Sequence, residues 1–375
     1  MADKAPNLYD AYLIDGVQMA LSPAGLLQEC TLPGALPPPV AGGSVADETL
    51  DSVPSPFDLR DEAVDSYADA VAALPRPPFP LPFAGPVTCA RVAKALLDAV
   101  WMGGHFRLGD LTLRAEWRWN DGAIGNQAAF YASVEAAAEY IDALGLKISE
   151  VKVSAGAPNV AFKAITTPEE EALDEEEESL IRELPFRTAN PRISRRRRCP
   201  ATLQGEASDW IIYIPLDTCD YRLGGSLLAA AMGASRGAAP EVGDADYFID
   251  GYEVIRELVE DGIVKAGATV LEGGLMNALR SMAGVNGAEI SVNDICRSCG
   301  GEMQARVLFA EVPGVILEIA DIDYDYIDAE LLLQDIAYFP LGHPVPGSPG
   351  VSVLSGGNSI TGILESLMNS LEGED

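Results

Sequence analysis

From Asp209 to Ile319 the chain alternates short apolar runs with segments of helical period, and paired glycines mark two of the junctions. The series reads DWIIYIPLDTCDYRLGGS (Asp209 to Ser226), DADYFIDGYEVIRELVEDGIVKAG (Asp244 to Gly267), ATVLEGGLMNALRSMAG (Ala268 to Gly284) and RVLFAEVPGVILEI (Arg306 to Ile319). Strand-like runs that alternate with helical patterns predict a mixed α/β domain. No single motif narrows the fold class as far as this order does.

Composition sets outer bounds. The 375 residues allow two or three domains at about 100–200 residues each. Hydrophobic residues make up 48%, enough for a sizeable core. Asp and Glu number 57 against 25 Lys and Arg, for a net charge of −32. That charge repels phosphate backbones and anionic lipid, which disfavours nucleic-acid or membrane-surface binding. Solubility, or a salt-adapted host, is the plain reading. No apolar run reaches the ~20 residues that span a bilayer. The opening MADKAPNLYD lacks the basic region and apolar core of a secretory signal. Six scattered cysteines do not make a disulfide framework, so a reducing cytoplasm is expected.

Four segments are expected. Residues 1–85 are rich in Pro, Gly, Ala and Asp and read as a loop-rich arm or edge, with a strand pair between Tyr12 and Leu21. Residues 86–167 hold a helix from Thr88 to Trp101, a strand from Leu111 to Trp119 and a helix from Gln127 to Leu144. Strands follow at Lys147–Ser154 and Val160–Thr166. Residues 168–200 form a charged linker that opens with EEEALDEEEE and closes with RRRR; like charges packed this tightly repel. Residues 201–375 form the second α/β unit.

Several clusters invite chemistry. Gly224 and Gly225 stand between a strand-like and a helix-like run, where a turn capping a helix competes with close approach to an anionic ligand. Glu311 reads equally as a residue leaving a buried strand end and as a contact to substrate or metal. Cys296-x-x-Cys299 lacks the further ligands zinc needs, and His105 and His343 are remote, so a loop with two thiols is preferred. Asp321, Asp323 and Asp325 begin like a calcium loop, but Tyr326 and Leu332 fill its Gly and Glu positions. An acidic first turn of a helix explains them better. Nothing resembles a nucleophile elbow, and no catalytic residue is assigned.

Taken in order, these segments resemble the aminoimidazole ribonucleotide synthetase superfamily. The strongest likeness is to the second synthetase-like half of large phosphoribosylformylglycinamidine synthase, and it covers roughly residues 85 to 371. Leu223, Gly224, Gly225 and Ser226 match the family's Leu-Gly-Gly-Ser. Glu272, Gly273 and Gly274 stand at its Asp-Gly-Gly-Leu turn, and Glu311 closes its Leu-Phe-x-Glu. The resemblance implies an N-terminal subdomain whose mixed sheet pairs into a barrel-like dimer core, plus a C-terminal α/β subdomain. It implies ATP or ADP with magnesium at Gly224, Gly225, Ser226, Glu272, Gly273, Gly274 and Glu311. It also implies a homodimer, or a complex with another synthetase-like chain. The family's first synthetase-like half and its glutaminase domain have no counterpart in this likeness.

Two departures weigh against intact ATP chemistry. The family's His-Asp-Ile-Ser run is replaced by Gly267, Ala268, Thr269 and Val270. Its Gly-Lys-Asp-Ser-like stretch reads KISEVKVS, with Glu150 and Lys152 as the only charged candidates. The expectation is a retained fold with polar chemistry lost, in a nucleotide-binding or scaffolding protein. The alternatives are an active ATP-dependent ligase subunit completed by a partner chain, and a structural protein of a larger assembly.

Overall fold

The computed structural model describes residues 4–55, 57–75, 77–102, 107–166, 197–216, 221–235 and 237–354. The charged linker falls outside them apart from residues 197–200, as does the tail from residue 355. The expected early strand pair is present: β1 (Ala11–Ile14) and β2 (Val17–Gln18) are antiparallel around Asp15-Gly16. After α1 (Pro23–Leu27), β3 (Ser44–Asp47) adds to β1 in parallel. Helix α2 (Val64–Ala72) follows. The sequence reading had no helix there, because flanking prolines hid a nine-residue apolar stripe.

Helices α3 (Ala84–Val100) and α4 (Asn126–Ala143) cover one face of a sheet made by β4 (Leu111–Trp119), β5 (Lys147–Ala155) and β6 (Asn159–Thr166). Its order is β5-β4-β6, with β4 parallel to β5 and antiparallel to β6. Period-two alternation orients β4: Leu113, Ala115, Trp117 and Trp119 are buried, while Arg114, Glu116 and Arg118 are exposed. The start of α4 is capped from afar. Asp47 at the end of β3 accepts the N–H groups of Gly125, Gln127 and Ala128 at 2.9, 2.9 and 3.0 Å. The N-terminal residues are thereby fastened to the sheet's cover.

The second unit runs β7 (Trp210–Pro215), α5 (Leu227–Ala231), α6 (Ala245–Glu260), β8 (Val264–Val270), α7 (Gly274–Met282) and β9 (Gly287–Ile290). It continues with α8 (Asn293–Ser298), α9 (Gln304–Phe309), β10 (Gly314–Ile319), α10 (Tyr324–Leu333), β11 (Phe339–Val345) and β12 (Val351–Val353). The six strands are ordered β12-β9-β11-β7-β10-β8. Strands β7 and β10 are buried on both faces, which explains their unbroken apolar runs. Ile212, Ile214, Val315 and Leu317 join a core shared with α3, α4 and α6. Ile211, Tyr213 and Ile316 face a second core with α2, α7 and α9. The mixed α/β architecture follows the sequence expectation. The N-terminal sheet is open and three-stranded; among the described residues no barrel closes.

Two local expectations are corrected. Leu308 and Phe309 end helix α9 rather than a strand, and Glu311 follows in extended chain. Cys296 lies inside α8 with Cys299 at its C-cap, so the two thiols belong to a helix end, not a loop. The acidic residues Asp321 and Asp323 form a single 3-10 turn leading into α10. Among the described residues no helix is long and apolar enough to cross a membrane.

Candidate functional site

The two glycine turns meet at a cleft between the units. Gly224, Gly225, Ser226 and Leu227 supply one side, Leu271 and Glu272 a second, and Glu311 lies between. Helix α3 contributes Arg91 and Ala90, and a run of Pro77, Pro78, Pro80 and Pro82 with Phe83 forms the opposite wall. The cavity measures about 240 Å³, just below the ~300–1,000 Å³ of typical small-molecule sites. Five of the seven expected site residues line it, both carboxylates among them: Gly224, Gly225, Ser226, Glu272 and Glu311. Gly273 and Gly274 lie behind the lining and shape the turn from β8 into α7, with φ of 77° and 70°.

Each turn needs its glycines for a distinct reason. A Cβ on Gly224 would come within 2.5 Å of the Ala238 backbone. Gly273 and Gly274 take a left-handed conformation that side chains rarely adopt. Ser226 caps α5 by accepting the Ala229 N–H at 3.2 Å. Its hydroxyl also donates to the Leu223 carbonyl at 2.8 Å, which closes the first turn on itself.

Glu311 joins the two turns. Its Oε1 accepts the N–H of Leu227 and the N–H of Gly273, each at 2.8 Å. Burial pushes the carboxyl up to about 7; the two N–H donors and Arg91 oppose the shift, and Glu272 reinforces it. The Arg91 guanidinium is held in place by Asn159 Oδ1 and the Val160 carbonyl, both at 2.7 Å, and lies 5.2 Å over the Phe79 ring. Burial lowers its proton affinity, while Glu272 and Glu311 oppose that effect. Sequence reasoning missed Arg91 and the proline wall. The available signal was an arginine within an otherwise apolar helical stripe, preceded by closely spaced prolines.

Two expected departures have structural counterparts. The end of β8, where the resembled family keeps His-Asp, is covered by a buried indole. A Cβ on Gly267 would lie 2.4 Å from Trp101 Cζ3, and Trp101 Nε1–H donates to Thr269 Oγ1 at 2.8 Å. Glu150 and Lys152 pair with each other at 2.8 Å on the outer face of the N-terminal sheet, and neither lines the cleft. Among the described residues no group of three or more His, Cys, Asp or Glu is placed to hold a metal. Burial raises the Cys296 thiol to about 11, which suits an inert buried cysteine rather than a reactive one.

No family model matches the chain. It is 24% identical over 279 residues to a probable phosphoribosylformylglycinamidine synthase, chloroplastic/mitochondrial, of Arabidopsis thaliana. That match covers 72% of this chain and 18% of the relative. The human phosphoribosylformylglycinamidine synthase is 23% identical over 255 residues, covering 66% of this chain and 17% of the relative. Among solved structures, Thermotoga maritima PurL complexed with FGAR superposes with a TM-score of 0.51 at 12% identity. It covers 77% of this chain and 42% of that one. The chain has the aminoimidazole ribonucleotide synthetase-like fold. It spans less than a fifth of the length of these curated relatives. Within the synthetase-like fold, the cleft is where both resembled glycine turns come together.

Proposed function

We propose that the chain is a diverged phosphoribosylformylglycinamidine synthase-like protein that holds a nucleotide in the cleft between its units, as a binding or scaffolding subunit. The observation that carries this reading is the Glu311 carboxylate, which ties both glycine turns together at the cleft. A magnesium-bound nucleotide is compatible with the residues present. Magnesium is usually held by one or two carboxylates plus phosphate oxygens. Glu272 and the second oxygen of Glu311 supply that donor set, beside one arginine. When bound, the metal would offset the repulsion between these carboxylates and phosphate.

A binding role is favoured over catalysis by two features. One carboxylate oxygen of Glu311 is already engaged by two backbone donors. Trp101 fills the space over Gly267, where the resembled family places polar groups. The partner on this reading is a second copy or another synthetase-like chain.

Calorimetric titration with ATP and ADP, with and without magnesium, tests the proposal. Saturable, magnesium-dependent binding with a dissociation constant on the order of micromolar is expected, weakened at least about tenfold in Glu311→Gln, a loss of about 1.4 kcal/mol. No binding at millimolar nucleotide would remove the nucleotide role and leave a scaffold.

A further inference from the structure

Helix α10 is apolar on two opposite faces. Its inner face, with Ile327 and Leu331, is buried in the core shared with α6. Its outer face carries Ile322 from the preceding 3-10 turn, then Tyr326, Ala329 and Leu333. These positions are i, i+4, i+7 and i+11, a single stripe at helical spacing. Ile322 is 88% exposed, Leu333 76% and Tyr326 48%, with Leu332 beside them at 65%. A helix that is apolar all round is normally covered on both sides, and contiguous exposed apolar side chains mark interaction surfaces.

The stripe has an acidic rim. Asp325 stands one turn before Ala329, and Glu330 one turn after Tyr326, so both flank it. Asp261 approaches from the end of α6. Glu330 raises the Tyr326 phenol above its ordinary value, with burial, Asp261 and Glu257 adding to the shift. After Arg306 the sequence contains no Lys or Arg, so neither α10 nor any later segment brings a cation to this rim. Arg256 of α6 is already engaged by Glu253, Glu257 and Glu260 at 2.8, 3.0 and 2.8 Å.

Charge decides the occupant. A second copy would set acidic rim against acidic rim, in a chain whose net charge is −32. Anionic lipid and nucleic acid are repelled in the same way. A cationic segment with one apolar face satisfies rim and stripe together, and the helical spacing suits another helix packed against it. We propose that the outer face of α10 docks a cationic amphipathic helix of a different protein. Its apolar stripe covers Ile322, Tyr326 and Leu333, and its Lys or Arg side chains face Asp325, Glu330 and Asp261. The surface shares no residue with the glycine-turn cleft and needs no nucleotide there.

Fluorescence anisotropy of a labelled Leu/Lys peptide with the full chain is the test. The peptide is about 14 residues long, roughly four helical turns, with leucines on one face and lysines on the other. A scrambled peptide of the same composition keeps the charge but has no apolar face. At about 0.15 M salt the patterned peptide should bind with a dissociation constant on the order of micromolar, and the scrambled one at least about tenfold more weakly. Tyr326→Ser/Leu333→Ser should weaken the patterned peptide at least about tenfold. Its urea midpoint should stay with that of the natural chain, because both side chains are exposed. Asp325→Asn/Glu330→Gln leaves the stripe whole; it should weaken binding severalfold and flatten its salt dependence. Equal affinity for the two peptides, including none for either, overturns the inference, as does unchanged affinity in both variants. Sedimentation of the free chain gives a further arm: self-association abolished by Tyr326→Ser/Leu333→Ser would make a second copy the occupant and overturn it too.

Discussion

Glu311 Oε1 accepts the backbone N–H of Gly273 at 2.8 Å, and the N–H of Leu227 shares the same oxygen. One side chain thus fixes the spacing between two turns that are far apart in sequence. Removing it leaves two backbone donors at the cleft without an acceptor. Glu311→Ala should lower stability by about 2–3 kcal/mol, whereas Glu311→Gln, which keeps the acceptor, should cost about 1 kcal/mol or less. Urea denaturation of the three proteins measures this, and equal losses in both variants would contradict the strut.

The same carboxyl sets a pH dependence. Its proton affinity in the fold is raised, from an ordinary 4.5 to about 7, mainly by burial. A raised carboxyl contributes fully below the ordinary value and loses that contribution as pH rises through the folded one. The stability of the natural chain relative to Glu311→Gln should therefore fall between pH 4.5 and about 7, by up to ~3 kcal/mol. Parallel denaturant titrations across that range would show it. A difference independent of pH would mean that the buried carboxyl is not shifted.

Asp47 serves α4 from the far end of β3, with three N–H groups on two oxygens. Asp47→Ala should destabilise by about 2 kcal/mol, the upper end for a helix cap. Amide exchange in the first turn of α4 should quicken in the same variant. Unchanged exchange there would show that the helix start is held by other contacts.

Gly274 and Gly300 share a left-handed backbone, with φ of 70° and 75°. Only at Gly274 would a Cβ meet other atoms, 2.6 Å from the Leu308 carbonyl oxygen; around Gly300 the space is open. Gly300→Ala should cost about 1–2 kcal/mol from backbone strain alone. Gly274→Ala adds a backbone clash and should cost clearly more in the same thermal or urea unfolding assay. Equal costs would mean that the clash is relieved by a shift of α9.

Local periodicity was the legible part of this sequence. Helix α4 and strands β4, β5 and β6 lie within about one residue of their expected bounds; the signal is clearest in β4, where inward and outward residues alternate from Leu113 to Trp119. Helix α3 starts four residues earlier than read, since Pro86 is tolerated in a first turn where its missing N–H goes unused. The LFAE segment was misread because a short apolar run carries no period to separate helix from strand. The cleft was legible only as separate turns. Their convergence on Glu311, the recruitment of Arg91 and the indole over Gly267 are contacts between distant segments. Nothing within a local window of sequence encodes them.

Strands β7 and β10 supply alternate residues to two different cores. Inserting or deleting one residue within either strand would exchange the sets, sending Tyr213 toward the space shaped for Ile212 and Ile214. Substitutions of similar volume can accumulate in such strands, but changes of length cannot. As sequences of this kind drift apart, insertions and deletions are filtered into the connections, while the strands keep their residue count long after their identities have been lost.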